Sequence, residues 1–320
     1  MKILTIQNRM GIGDMIIFLP FIEAISKKFN SKIHLLVKES SKASDYLKDN
    51  KFIEEIIILD RENKTRKGEH DGIFGSIKLI KCLKKFNFDK VFIFNSSLRY
   101  NLISKFSSIK DIYQYPLYKK KNQQIIETAK SFLKKEINVE VASDPKIYLN
   151  EDIIKKCKEK HFSNKYKNIL LGIGGSGPTK RIPAKIFLNF MKLCNENFKC
   201  KFYLATGNSE EEQKILEEII NTEFGSLCKR LDHMKIYETL PVIKNCDVAI
   251  CNDSSFSHLS AALGLSTIVL MADTPLIYGS YSPRMYPVIP EDKTDVSHNT
   301  LGKEKISPIE IFNKFKSLIN

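Results

Sequence analysis

Short apolar runs of five or six residues alternate with amphipathic stretches of helical period, and the pattern occurs twice along the 320-residue chain. A run that is short and apolar throughout is a strand buried on both faces, the situation in a parallel sheet covered by helices on each side. In the first half this predicts strands at Lys2–Gln7, Lys32–Val37, Glu54–Leu59 and Lys90–Phe94. Helices are predicted at Gly13–Lys28, Ser41–Asp49 and, after a polar loop at Asp60–Gly72, Ile73–Phe86. In the second half the strands are Asn168–Gly172, Lys201–Ala205, Asp247–Cys251 and Thr267–Met271. The helices there are Ala184–Asn195, Glu210–Ile220, Phe256–Leu263 and Pro308–Ile319, the last with Ser307 as N-cap and Pro308 at its first position. The expected fold class is α/β, with two doubly wound domains at residues 1–150 and 168–306 and a charged linker at 151–167. Such domains bind ligands in a crevice outside the carboxyl ends of their strands.

Composition narrows the class further. The apolar fraction of 42% suits globular cores. No segment reaches the roughly 18 uncharged apolar residues of a membrane helix. The best candidate, Ile12–Ile25, holds Asp14, Pro20 and Glu23. The N-terminus reads as a strand rather than a signal peptide. The seven cysteines include no C-x-x-C pair and no nearby histidine cluster, so a reduced, cytoplasmic protein without zinc or disulfides is expected. The net charge of +14 is uneven: residues 1–160 carry 32 Lys+Arg against 20 Asp+Glu. A basic half attracts polyanions such as nucleic acid, acidic lipid headgroups or a phosphorylated glycolipid; the plainer reading is a set of solvated lysines.

Three segments could carry chemistry. The first strand runs into Asn8-Arg9-Met10-Gly11-Ile12-Gly13-Asp14, where Gly11 and Gly13 permit a tight turn and Asp14 opens a helix, either as a cap or as a functional carboxylate. A dinucleotide fingerprint would need glycine at position 16, and Ile16 stands there, which argues against an NAD-dependent dehydrogenase. The second half opens with Gly172-Ile173-Gly174-Gly175-Ser176-Gly177-Pro178-Thr179-Lys180-Arg181. A glycine-rich loop after a buried strand can turn several N–H groups toward one anion, and Lys180 and Arg181 add fixed positive charge. The third segment, Asn252-Asp253-Ser254-Ser255-Phe256-Ser257-His258, lies between a buried strand and a helix. There the N–H groups of Ser254–Phe256 would face an anion, while Asp253 alone could be a cap and His258 alone a core histidine.

Together and in order, these segments resemble glycosyltransferase family 9, the lipopolysaccharide heptosyltransferases. Gly11-Ile12-Gly13-Asp14-Met15, with Pro20 about a turn and a half on, resembles the start of that family. Lys180-Arg181-Ile182-Pro183 resembles its Lys-x-Trp-Pro segment, with Ile182 in place of Trp. Asp253–His258, followed by Leu259-Ser260-Ala261-Ala262, resembles its Asp-Ser/Thr-Gly-x-x-His-x-x-Ala-Ala segment, with Ser255 in place of Gly. The resemblance implies a GT-B fold of two Rossmann-like domains, with the C-terminal helix (307–320) packing back on the first. It implies an inverting, metal-independent transfer, typically of heptose from ADP-heptose to a lipopolysaccharide core sugar. In that scheme Asp14 is the general base beside the acceptor-side loop of Gly11 and Gly13. Donor and phosphate binding fall to Gly174, Gly175, Ser176, Thr179, Lys180, Arg181, Asp253, Ser254, Ser255, Phe256 and His258.

No Asp-x-Asp occurs in the chain, and no metal or cofactor is expected beyond the nucleotide-sugar co-substrate. The basic first half fits an anionic glycolipid or glycan acceptor and a peripheral place on the inner face of the inner membrane; no nucleic acid is expected as a partner. Two rivals remain at this level. A nucleotide-sugar epimerase of the same fold would turn over its donor without an acceptor. A non-catalytic polyanion binder would show salt-sensitive binding without nucleotide affinity.

Overall fold

The computed structural model describes residues 1–62, 66–117 and 125–319. Residues 63–65 of the expected polar loop therefore lie outside the described residues. The chain divides into two units, Met1–Tyr148 and Leu149 onward.

The first unit is a five-stranded parallel sheet. Its strands are β1 (Ile3–Gln7), β2 (Ile33–Lys38), β3 (Ile53–Leu59), β4 (Lys90–Ile93) and β5 (Asp111–Gln114), in the order β3-β2-β1-β4-β5. Every residue of β1 is buried, as expected of the central strand of a sheet covered on both faces. The helices are α1 (Ile12–Phe29), α2 (Ala43–Tyr46), α3 (Gly72–Lys84), α4 (Leu98–Phe106) and α5 (Ile125–Ile137). Helices α3 and α4 pack side by side, as do α1 and α5. One core joins Leu4, Ile6, Leu36, Leu79, Leu83 and Val91.

The second unit holds β6 (Lys167–Gly172), β7 (Cys200–Ala205), β8 (Cys228–Arg230), β9 (Val248–Asn252), β10 (Thr267–Leu270) and β11 (Met285–Val288). Their order, β11-β10-β9-β6-β7-β8, is all parallel and repeats the doubly wound arrangement. Its helices are α6 (Glu151–His161), α7 (Ala184–Asn197), α8 (Glu210–Ile220), α9 (Ile236–Lys244), α10 (Ser255–Ala262) and α11 (Pro308–Ile319). The chain order reverses between β1 and β4 in the first sheet and between β6 and β9 in the second, and all three chemical segments of the sequence leave the carboxyl ends of β1, β6 and β9.

Two expectations about the chain's course meet the structure at α6 and α11. The segment expected as a linking charged helix and turn does hold a helix, α6, and it belongs to the second unit: Asn150 caps it through the N–H of Asp152 (2.8 Å), and Asn245 donates to the Ile154 carbonyl (3.0 Å) beside α9. The C-terminal helix, expected on the first domain, packs on α7 instead. Phe315 meets Phe190 edge-on at 5.7 Å, and Ile311, Phe312 and Phe315 belong to the second core. Burying those side chains within the second unit satisfies the inner apolar stripe of the helix. Its expected N-cap is present: the Ser307 hydroxyl accepts from the Glu310 N–H at 3.4 Å.

Candidate active site

In the first unit, Gly11 is the residue before α1, with φ +96°, a left-handed value that glycine adopts without strain. Asp14 is therefore the third residue of the helix and not its cap, a correction to the capping reading. It still lies in the first turn, where the helix dipole favours a carboxylate. Arg9 Nη1 reaches Asp14 Oδ1 at 3.2 Å, and the Gln7 amide donates to the Asp14 carbonyl at 3.3 Å. Gly13 lies within the same first turn.

Sequence reasoning missed the polar network beside this turn. Asn95 Nδ2 donates to Asn8 Oδ1 (2.9 Å), and Asn95 Oδ1 accepts from the Ser97 N–H (2.6 Å). Gln114 Nε2 donates to the carbonyls of Asn95 and Ser97 (2.9 Å each), and Asn101 donates to Gln114 Oε1 (2.9 Å). The network joins the ends of β1, β4 and β5 to the start of α4. Its signal in the sequence was an Asn directly after each buried run, at Asn8 and Asn95. Nearby on the chain, Tyr115 Oη is buried without a partner among the described residues; burial pushes its pKa up, against the pull of Arg9.

In the second unit the glycine-rich loop is shaped first by packing. A Cβ on Gly172 would lie 2.6 Å from Cys251 Sγ, and one on Gly174 would lie 2.5 Å from Glu212 Oε1. The Gly175 N–H already has an anion: it donates to Glu212 Oε1 at 2.8 Å. Glu212 is held by Ser209, whose hydroxyl donates to its carboxylate (3.0 Å) at the start of α8. Sequence reasoning passed over Glu212, although Ser209-x-x-Glu212 is a capping signature. Arg181 turns the same way, donating to the Gly175 carbonyl (2.9 Å) and lying 3.8 Å from Glu211. Ser176 is exposed, and Thr179 lies against the Asp273 carboxylate. Ile182, standing for the family's Trp, is fully buried in the second core.

Lys180 leaves that group. Its ammonium sits 2.6 Å from Asp253 Oδ2, with side-chain exposures of 27% and 6%. Burial alone would raise the Asp253 carboxyl; the Lys180 ammonium outweighs it and holds the carboxyl below its ordinary range. Asp253 follows β9 and precedes α10, whose N-cap residue is Ser254. The N–H groups of Ser255 and Phe256 at the start of α10 have no helical acceptor, whereas that of Ser257 donates to the Ser254 carbonyl (3.2 Å), and Ser254 Oγ is buried without a partner among the described residues. Thr206 Oγ1 and Asn252 Oδ1 share that condition. Asn252 Nδ2 ties β9 to the loop after β6 through the carbonyls of Ile173 (2.7 Å) and Gly174 (3.2 Å). His258 is buried, with Nδ1 2.9 Å from Tyr281 Oη and the two rings stacked. Burial pushes its pKa down to about 4, so it is a neutral imidazole at pH 7.

The structure thus joins Lys180 with Asp253 and sets Ser254, Ser255 and Phe256 at one helix start. It turns Gly175 and Arg181 toward α8 and fastens His258 to Tyr281. A buried carboxylate, an ammonium, a helix start and orphaned hydroxyls lie at the switch point of a doubly wound sheet, a set of groups whose chemistry suits a polar, anionic ligand. Among the described residues no three His, Cys, Asp or Glu side chains are grouped to hold a metal ion, and no helix is long and apolar enough to cross a membrane. All seven cysteines are free.

These two parallel-sheet α/β units match the GT-B fold of heptosyltransferase structures. The profile of glycosyltransferase family 9 (heptosyltransferase) matches residues 77–305, and the chain belongs to that family. The match includes the Lys180 and Asp253–His258 segments and begins after Asp14. Lipopolysaccharide heptosyltransferase 1 of Campylobacter coli is 24% identical, over 97% of this chain and 96% of its own. A family 9 glycosyltransferase from Veillonella parvula superposes with a TM-score of 0.78 at 17% identity, covering 99% of this chain and 97% of that one. The ADP-heptose lipopolysaccharide heptosyltransferase II of E. coli gives a TM-score of 0.73 at 18% identity, covering 100% and 98%.

Proposed function

We propose that this glycosyltransferase moves heptose from ADP-heptose to a sugar of a lipopolysaccharide core, by a single inverting displacement without a metal ion or other cofactor. The observation that carries the reading is Lys180, held 2.6 Å from Asp253 beside the start of α10. In the reaction the acceptor hydroxyl attacks the anomeric carbon as the bond to the diphosphate breaks. Positive charge builds on the sugar and negative charge on the departing ADP. Lys180 and the N–H groups at the start of α10 stabilise the diphosphate, and Asp253 faces the donor sugar. Ser254 Oγ, buried and unpartnered, takes a ligand oxygen. Asp14 accepts the acceptor's proton, oriented by Arg9 at 3.2 Å. The names of the relatives support ADP-heptose and lipopolysaccharide as substrates. The same reading places the enzyme in the cytoplasm, peripheral to the inner membrane that carries its anionic acceptor.

The test supplies purified protein with ADP-heptose, heptose-deficient lipopolysaccharide and EDTA, and follows ADP release together with acceptor mass. The expected result is one heptose added per ADP released, with inverted anomeric configuration. Donor turnover without acceptor would favour an epimerase. Activity lost in EDTA and restored by Mg2+ or Mn2+ would overturn the metal-independent step.

A further inference from the structure

Helices α3 and α4 each carry two apolar faces where a surface helix needs one. The inner faces, Leu79 and Leu83 on α3 and Tyr100 and Ile103 on α4, fill the first core. The outer positions at helical spacing, Ile73, Ile77 and Ile80 on α3 and Leu102 and Phe106 on α4, line a groove of about 670 Å³ between the two helices. Ile73 is 78% exposed and Phe106 63%, and Phe74, the residue after Ile73 on α3, is 83% exposed. A contiguous apolar surface of that kind marks a docking site.

Charge says what docks. Helices α3 and α4 carry Lys78, Lys81, Lys84, Arg99 and Lys105 and no acidic residue. Lys78 is taken by Glu69 at 3.1 Å, whereas Lys81, Lys84 and Lys105 make no ion pair among the described residues. Lys81 and Lys84 themselves line the groove, so cations and exposed apolar side chains occupy one face. An apolar protein partner would leave those ammonium groups facing it unpaired, at a desolvation cost. A bilayer surface rich in anionic lipid meets both demands, because acyl chains receive the apolar side chains while the headgroups hold the lysines.

We propose that the outer face of α3 and α4 docks the first unit on an anionic membrane leaflet, with Ile73, Phe74 and Phe106 inserted at the acyl boundary and Lys81, Lys84 and Lys105 among the headgroups. The proposal deepens the peripheral location given above. It does not require the assigned sugar chemistry, because vesicle binding is read without turnover.

The test is sedimentation of the full chain with phosphatidylcholine vesicles containing 30% phosphatidylglycerol, against pure phosphatidylcholine. Binding is expected to the anionic vesicles and to fall as salt is raised. A lysine near such a surface contributes about 1 kcal/mol, or about fivefold in partition. Lys81→Gln with Lys84→Gln should therefore lower binding roughly 25-fold, and Phe74→Ser with Phe106→Ser should also abolish most of it. None of the four is a residue assigned to catalysis or donor binding, and circular dichroism with ADP affinity checks that the fold is kept. No preference for anionic vesicles, or binding that both double variants retain, would overturn the proposal. Loss of a concentration-dependent dimer in the Phe variants with vesicle binding intact would overturn it in favour of a second copy of the chain.

Discussion

If Lys180 serves the diphosphate, its present partner must compete with that ligand, and this makes a counter-intuitive prediction about Asp253. Nζ lies 2.6 Å from Asp253 Oδ2. A phosphate oxygen accepting from the same ammonium at a normal distance would stand about 5 Å from the carboxylate. Two unit charges at that separation repel by about 3 kcal/mol in an effective dielectric of about 20. Lys180 is 27% exposed, so solvent and counterions reduce the figure, to about 1–2 kcal/mol. Asp253→Asn keeps the shape and an acceptor for Lys180 but removes the charge. ADP should then bind about 5-fold to 30-fold more tightly while adenosine binds unchanged. Turnover should fall in the same variant, since the carboxylate is assigned to the donor sugar.

Lys180→Met makes the opposite change, removing a charge-assisted bond of about 1.5–3 kcal/mol and leaving a buried carboxylate beside the phosphate. ADP affinity should drop by more than tenfold, and Lys180→Met with Asp253→Asn should recover part of it. Isothermal titration of the parent, both single variants and the double variant with ADP and with adenosine, at 0.15 M salt, gives the full cycle. If Asp253→Asn binds ADP no more tightly than the parent, the ammonium does not reach the diphosphate and Lys180 serves only to neutralise Asp253.

Two further predictions concern Asp14 and His258. Asp14→Asn keeps the third position of α1 filled by a similar side chain, so donor affinity should stay within a few-fold while the single-turnover rate falls by about 10²–10⁴; a rate near the parent's would remove Asp14 from the mechanism. His258 is neutral when folded, with a pKa of about 4 against 6.5 for the free group, so the unfolded chain takes up a proton first as pH falls. Its contribution is whole above pH 6.5 and is lost towards pH 4, by about 3 kcal/mol, so the parent should lose more thermal stability than His258→Asn between pH 7 and pH 4.5; parallel melting curves across that range would refute it.

What was legible in the sequence follows from where each strand lies in its sheet. The central strands β1, β4, β6 and β9 are apolar runs buried on both faces, and pattern alone locates them to within a residue or two. The strands that pattern missed, β5, β8 and β11, are all edge strands of three or four residues with partly exposed positions. Edges are kept short and polar because an exposed ladder invites further pairing, and this removes the continuous apolar run that betrays a strand. Pro287 within β11 hides it further, since proline is tolerated only where the ladder ends. The C-terminal helix was misplaced for a different reason: an apolar stripe predicts that a helix packs, and says nothing of which surface receives it.

The candidate site shows the same division between what a residue type requires and which partner meets the requirement. Glycines after a buried strand have two physical causes, a ligand that must approach the backbone or a neighbour that already does. At Gly172 the neighbour is Cys251 Sγ, 2.6 Å from a hypothetical Cβ, and at Gly174 it is the Glu212 carboxylate at 2.5 Å. The anion that the loop's N–H groups suggested is present at Gly175, but it belongs to the protein. Under the proposed function, that leaves Lys180 and the start of α10 to meet the diphosphate. The internal carboxylate has its own consequence. With the Gly175 N–H bonded to Glu212 and its carbonyl to Arg181, the loop that carries Lys180 is tied at Gly175 within the protein itself, which lowers the ordering a ligand would have to impose.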